Sequence, residues 1–202
     1  FPTRRSSDLK KFEEIYNIIK DIEDAEVRIA PDETLYIINL NASQAKEIAA
    51  ITEDGAKNLF ETSVSCIGST VCQIGLRDSQ GLLASIVATV EPYHFADGVL
   101  PRIHISGCTS SCGTHQIGKL GFHGASKRVD GKMQPAFAFH VNGTDAQGAE
   151  HFGEEWGVMA ADVIPEFFVE LGQVISDENL TYEVWYAKHP DKLKKIAEKY
   201  IC

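Results

Sequence analysis

Apolar residues recur at helical spacing through positions 10–22, where Phe12, Ile15, Tyr16, Ile19 and Ile22 share one face. Pro31-Asp32 breaks that period. On either side of the break lie two short apolar runs, 27–29 and 35–40, which read as strands. Ser43 is placed to cap a helix running to about Glu53, with Asp54-Gly55 to stop it. Further along, Leu82, Leu83, Ile86 and Val90 line one side of an apolar helix, with Gly75 and Gly81 weakening its start. The stretch 100–106 alternates, Leu100, Ile103 and Ile105 against Arg102 and His104, and predicts a strand ending at Gly107-Cys108. Two more strands are expected over 117–123 and 136–141, joined by a basic turn from Lys127 and Arg128 to Lys132. The helical period returns from Asp162, with Ile164, Phe167, Leu171, Val174 and Ile175. A last amphipathic helix over 190–201 uses Leu193, Ile196, Ala197 and Tyr200. The order is mixed, and the fold class expected is α+β, with a mixed sheet and helices.

Composition narrows the class. The 202 residues are 44% hydrophobic and 24% charged, the proportions of an ordinary globular chain. A net charge of −10 and a sequence pI near 5.1 disfavour nucleic acid as a partner, because an acidic chain repels phosphate. No apolar run approaches the roughly 20 residues that span a bilayer, so no membrane insertion is expected. Residues 1–9 are polar and lack an apolar period, and they read as a non-native or disordered segment. The elements that follow read as the tail of a domain that begins upstream.

Cysteine placement carries the chemistry. Cys66 and Cys72 are separated by five residues, Cys108 and Cys112 by three, and about 35 residues lie between the pairs. Cys202 stands apart, after a Lys-rich helix, and is not expected to be a ligand. An odd count with no signal peptide points to a cytoplasmic chain with reduced thiols. Both pairs lie in Gly/Ser/Thr-rich loops, where backbone N–H groups can reach anionic sulfur. Four thiolates suit an iron–sulfur cube. A structural zinc site usually has two to four residues within each pair. Four unrelated buried cysteines are the third reading, which the loop setting disfavours. Spacing favours the cube and leaves the other two open.

The segment Ser106-Gly107-Cys108-Thr109-Ser110-Ser111-Cys112-Gly113, preceded by Cys66-x5-Cys72, resembles the signature of the siroheme-dependent nitrite/sulfite reductase family. Leu120-Gly121-Phe122-His123-Gly124 and Phe139-His140-Val141-Asn142-Gly143 also follow the family's order, and the resemblance runs from about Val27 to Lys188. It implies a 4Fe–4S cluster on Cys66, Cys72, Cys108 and Cys112, with Cys112 also the axial ligand bridging to siroheme. It further implies six-electron reduction of nitrite or sulfite, and ferredoxin or a similar electron donor. It divides the chain into residues 10–55, the end of a ferredoxin-like half-domain, and 56–202, the cluster and siroheme domain. Arg28 matches a family arginine at a strand end and is the pocket candidate for the carboxylates of siroheme. Lys119, Lys127, Arg128 and Lys132 are further cations, the last three reading as a solvated turn. The family's main substrate-binding cations are expected upstream of this sequence. His104 reads as the exposed side of a strand; His123 and His140 could face the haem or be imidazoles satisfied within the fold. Three positions depart from the family: Thr109-Ser110 replaces Pro-Asn, Asp32-Glu33-Thr34 replaces a Gln-containing segment, and Asn142-Gly143 replaces a Gly pair. A cluster-containing oxygenase of cobalamin biosynthesis, and a non-catalytic electron-transfer or zinc module, are the alternatives.

Overall fold

A computed structural model describes residues 6–29, 35–53, 55–129 and 131–201. The chain divides into two compact units, Phe1–Lys57 and Asn58–Cys202. In the first, helix α1 (Ser6–Ile19) is followed by strands β1 (Glu26–Ile29) and β2 (Leu35–Ile38) and by helix α2 (Ala42–Ile51). The strands form an antiparallel pair, Glu26 opposite Ile38 and Ile29 opposite Leu35. Helix α1 thus takes in part of the segment expected to lie outside the fold. The cap of α2 is Asn41, not Ser43. The Asn41 side chain accepts from the Ser43 and Gln44 N–H groups, and the Gln44 side chain accepts from Asn41 N–H at 2.9 Å. That reciprocal pair satisfies more orphan N–H groups than a lone serine could. Asp32-Glu33-Thr34, where a departure from the family falls, lies outside the described residues.

The second unit is built on a five-stranded sheet in the order β3-β4-β5-β6-β7. Its strands are β3 (Val64–Ser65), β4 (Ile103–Ser106), β5 (Leu120–Val129), β6 (Lys132–Val141) and β7 (Glu154–Ala160). The pairs β3–β4 and β4–β5 are parallel, and β5–β6 and β6–β7 antiparallel, so the sheet is mixed as expected. Two boundaries shift. Residues 115–117 form a short 3-10 turn before β5 begins at Leu120. The predicted basic turn is mostly strand: Lys127 and Arg128 lie in β5, Lys132 opens β6, and Val129 pairs with Lys132. Gly131 at φ +78 allows the tight two-residue reversal that the strands' twist favours.

Alternation gives the sheet two faces. Ile103, Ile105, Leu120, Phe122, Phe137, Phe139 and Met159 are all buried and turn toward helices. Against them pack α3 (Ser79–Val90) and α4 (Ile164–Asp177). Asp78 caps α3 by accepting from Gly81 N–H at 2.8 Å, which turns Leu82, Leu83, Ile86 and Val90 inward. In α4, Phe168 meets Phe122 and Phe167 meets Phe139, with ring centroids 5.9 and 5.4 Å apart. Each such fully buried aromatic contributes about 1.5–3 kcal/mol. Helices α5 (Tyr182–Lys188) and α6 (Pro190–Ala197) close the core with Trp185 and Leu193. No helix among the described residues is long and apolar enough to cross a membrane.

Candidate metal centre

Because β3 and β4 are parallel neighbours, their C-terminal ends lie side by side. Cys66 follows β3 directly, and Gly107-Cys108 follows β4 directly. The first cysteine loop is therefore laid against the start of the second, and hydrogen bonds record the contact. Cys66 N–H donates to Ile105 O at 3.0 Å, and Leu76 and Arg77 N–H both donate to Gly107 O, at 3.0 and 2.8 Å. Gly107 N–H donates to Cys66 Sγ at 3.1 Å. A Cβ on Gly107 would stand 2.6 Å from Arg77 O, so only glycine lets the two loops approach this closely.

The loop chemistry suits anionic sulfur. Ser79 Oγ lies 3.3 Å from Cys66 Sγ and donates to Cys66 O at 2.7 Å. The Ser110 hydroxyl, and after it the Ser110 backbone, hold the Cys108 thiol below its ordinary value. Cys72 sits inside a turn, its N–H donating to Gly68 O at 2.9 Å. Cys66, Cys72 and Cys108 are half-buried, Cys112 is exposed, and all four are free thiols. Ile67, Val71, Ile74 and Leu76, around the first pair, are all exposed. Cys202 lies outside the described residues.

Arg77 and Ser79 were not singled out by sequence, since neither lies in a recognisable motif. Arg77 Nε donates to Ala125 O at 2.6 Å, one terminal nitrogen donates to Leu76 O at 2.8 Å, and the other meets Ser126 Oγ. The guanidinium thus ties the first cysteine loop to β5. Lys119 pairs with Glu183 at 3.7 Å. Arg28 belongs to the first unit, where it is exposed and pairs with Glu26 at 2.8 Å.

The sheet face opposite the helices carries a second group. Its strands present His104 and Ser106 from β4, His123 from β5, and His140 from β6. The 3-10 turn lays the buried His115 against them, with ring centroids 4.8 Å from His123 and 4.9 Å from His140. His115 Nδ1 lies 2.9 Å from Ser106 Oγ, and His123 Nδ1 lies 2.8 Å from His140 Nε2. Burial pushes all three imidazoles down, His115 to about 3, with His140, His123 and His104 adding to the shift there. Glu155 opposes the shift at His123 and His140, its carboxylate 3.7 Å from His140 Nε2. His104, read as exposed, is half-buried. Its Nδ1 lies 2.7 Å from Thr114 Oγ1, and burial followed by Arg102 lowers its pKa. The left-handed Thr114 at φ 53 folds that loop back over the strand.

No family model matches the chain. Individual proteins do. The sulfite reductase [NADPH] hemoprotein beta-component of Bacillus subtilis is 24% identical over 167 residues, 77% of this chain and 28% of that protein. The ferredoxin–nitrite reductase of Synechococcus elongatus is 34% identical over 100 residues, 48% of this chain and 19% of that one. The chain is similar to nitrite and sulfite reductases. The solved structure of the Mycobacterium tuberculosis NirA protein has a similar fold, matching 79% of this chain with a TM-score of 0.64, at 16% identity and over 31% of its own length. The chain spans less than a third of each of these proteins.

Proposed function

We propose that this chain is the cluster-bearing segment of a siroheme-dependent nitrite or sulfite reductase. Cys66, Cys72, Cys108 and Cys112 would hold one 4Fe–4S cube, and Cys112 would also help to hold siroheme. One observation carries the reading: two cysteine loops leave adjacent parallel strand ends and are joined through Gly107. Similarity to reductases of both substrates supports the activity class.

The donors around Cys66 and Cys108 suit such a group; among the described residues the three histidines already converge and the four sulfurs do not. A cube with four thiolates carries net negative charge, and its sulfurs need N–H and O–H donors to hold it and tune its potential. Gly107 N–H already points at Cys66 Sγ, and Ser79 Oγ stands beside it. Ser110 favours the thiolate at Cys108. The exposure of Cys112 leaves its sulfur open toward a second partner, as a bridging ligand requires. When bound, the paired groups supply single electrons for six-electron reduction of nitrite to ammonia or sulfite to sulfide, drawn from ferredoxin or a similar donor. The chain's own part would be to seat the cube and supply N–H and O–H donors to its sulfurs, with Cys112 left exposed.

Anaerobic reconstitution with iron and sulfide tests this. The native chain should take up about four iron and four sulfide per chain, the content of one cube. Cys66→Ser, Cys72→Ser and Cys108→Ser should each lose most of it. With siroheme added, Cys112→Ser alone should shift the Soret band. A chain that binds zinc at these thiols and takes up no sulfide would sink the proposal.

A further inference from the structure

We infer that His115, His123 and His140 form a second metal site, for one divalent transition-metal ion of the zinc or copper class, separate from the cysteines. Among the described residues these are the group of three whose potential ligand atoms converge, all within 4.8 Å of one another. The three rings form a near-equilateral triangle, with centroid separations of 4.8, 4.9 and 5.0 Å. Three imidazole nitrogens with no thiolate among them suit zinc, copper or nickel, and exclude the hard cations that demand oxygen.

The triangle is built on rigid elements. His123 stands opposite Ala138, and His140 opposite Gly121, so each imidazole has a small residue across from it and room to lean toward the other. A Cβ on Gly121 would fall 1.9 Å from His115 O, so the glycine is what lets the 3-10 turn settle on the strand and deliver the third ring. The rings are also aimed. Where His115 Nδ1–H donates to Ser106 Oγ, its Nε2 lone pair is left for the ion. Ligand histidines are commonly held by such partners on the ring atom away from the ion. Glu155 holds a carboxylate 3.7 Å from His140 Nε2, where it would offset part of the ion's charge.

Burial keeps these imidazoles neutral, the form that binds metal. A tetrahedral ion at about 2.0–2.1 Å from each nitrogen sets them roughly 3.3 Å apart. The His123–His140 pair, at 2.8 Å, opens slightly as the ion replaces its hydrogen bond, and His115 closes inward.

The test is Co²⁺ and Zn²⁺ binding by equilibrium dialysis of the reduced chain under anaerobic conditions. Thiolate-to-cobalt charge transfer reports the cysteines independently of total metal. The native chain should bind one equivalent more than His123→Asn and His115→Gln, with the thiolate band unchanged in both variants. A chain with all four clustered cysteines changed to Ser should keep one zinc, and adding His123→Asn should weaken that binding at least tenfold. Near-ultraviolet circular dichroism checks that each variant is folded. Should the quadruple variant not fold, the native and single-histidine comparison decides alone. Equal metal in native and folded histidine variants, or zinc bound at the thiols only, overturns the assignment. Neither result bears on the uptake of iron and sulfide.

Discussion

Arg77 offers no ligand, and its effect on the cysteine loop comes from charge and reach. Its guanidinium bonds Ala125 O, Leu76 O and Ser126 Oγ, while its carbonyl accepts from Ser69 N–H at 2.9 Å. Hydrogen bonds from a charged donor contribute about 1.5–3 kcal/mol each when partly buried, and more is lost if the acceptors are left dry. Arg77→Leu should therefore lower unfolding stability by about 2 kcal/mol in urea titration and shorten iron retention after reconstitution, with all four cysteines intact. Unchanged retention would mean that the strap does not position the loop. At this scale the sequence was uneven. The four cysteines stand out because their spacing is itself a pattern. Arg77, Ser79 and His115 do not, since each acts through a partner 9 to 49 residues away that no local period reveals.

Helices α4, α5 and α6 are joined by one carboxylate. Glu178, at the C-cap of α4, accepts from Trp185 Nε1 at 3.1 Å in α5 and from Lys192 Nζ at 2.7 Å in α6, and lies 3.0 Å from His189 Nε2 between them. Lys192 first, then Trp185 and His189, hold its carboxyl below the ordinary value. A group with a depressed folded pKa stabilises the fold above its unfolded value, about 4.3 for glutamate, and that stabilisation is lost as pH falls through the folded value. Glu178→Gln should thus melt below the native chain at neutral pH, and the gap should close in acid. A gap that is independent of pH would show that the carboxylate is not the tie. Among the elements, those with clean periods were legible: α3 through Leu82, Leu83, Ile86 and Val90, and α4 through Phe167 and Leu171. Strand β7 was not. Glu154-Glu155-Trp156-Gly157 has no alternation, and a register shift in β6 between Phe139 and His140 faces the left-handed Gly157. Helix α5, at seven residues, is too short to show a period. Gly172 lies inside α4, where glycine disfavours a helix. A Cβ there would come within 2.3 Å of the Phe95 ring, so the missing side chain is a packing contact.

For the molecule as a whole, the mixed sheet sets the order in which the site can come into being. The β5–β6 hairpin is local, ten residues against ten about a two-residue turn, and can form early. Strand β3 is two residues long, sits at the sheet edge, and pairs in parallel with a strand about forty residues further along the chain. Non-local parallel pairing is intrinsically slow, and a two-residue edge strand is the first part of a sheet to open. The two cysteine loops therefore meet late, and an inserted cube would act as a latch on the weakest seam of the sheet. Amide hydrogen exchange makes this visible. Without metal, Cys66, Cys72 and Arg77 should exchange orders of magnitude faster than Phe122 and Phe139 in the hairpin. After reconstitution, the first three should slow at least tenfold while the hairpin amides hold steady. The apoprotein would then behave as a sheet with one loose margin, and oxidative loss of the cluster would expose that margin to proteases and to edge pairing with other chains before the helical core gives way.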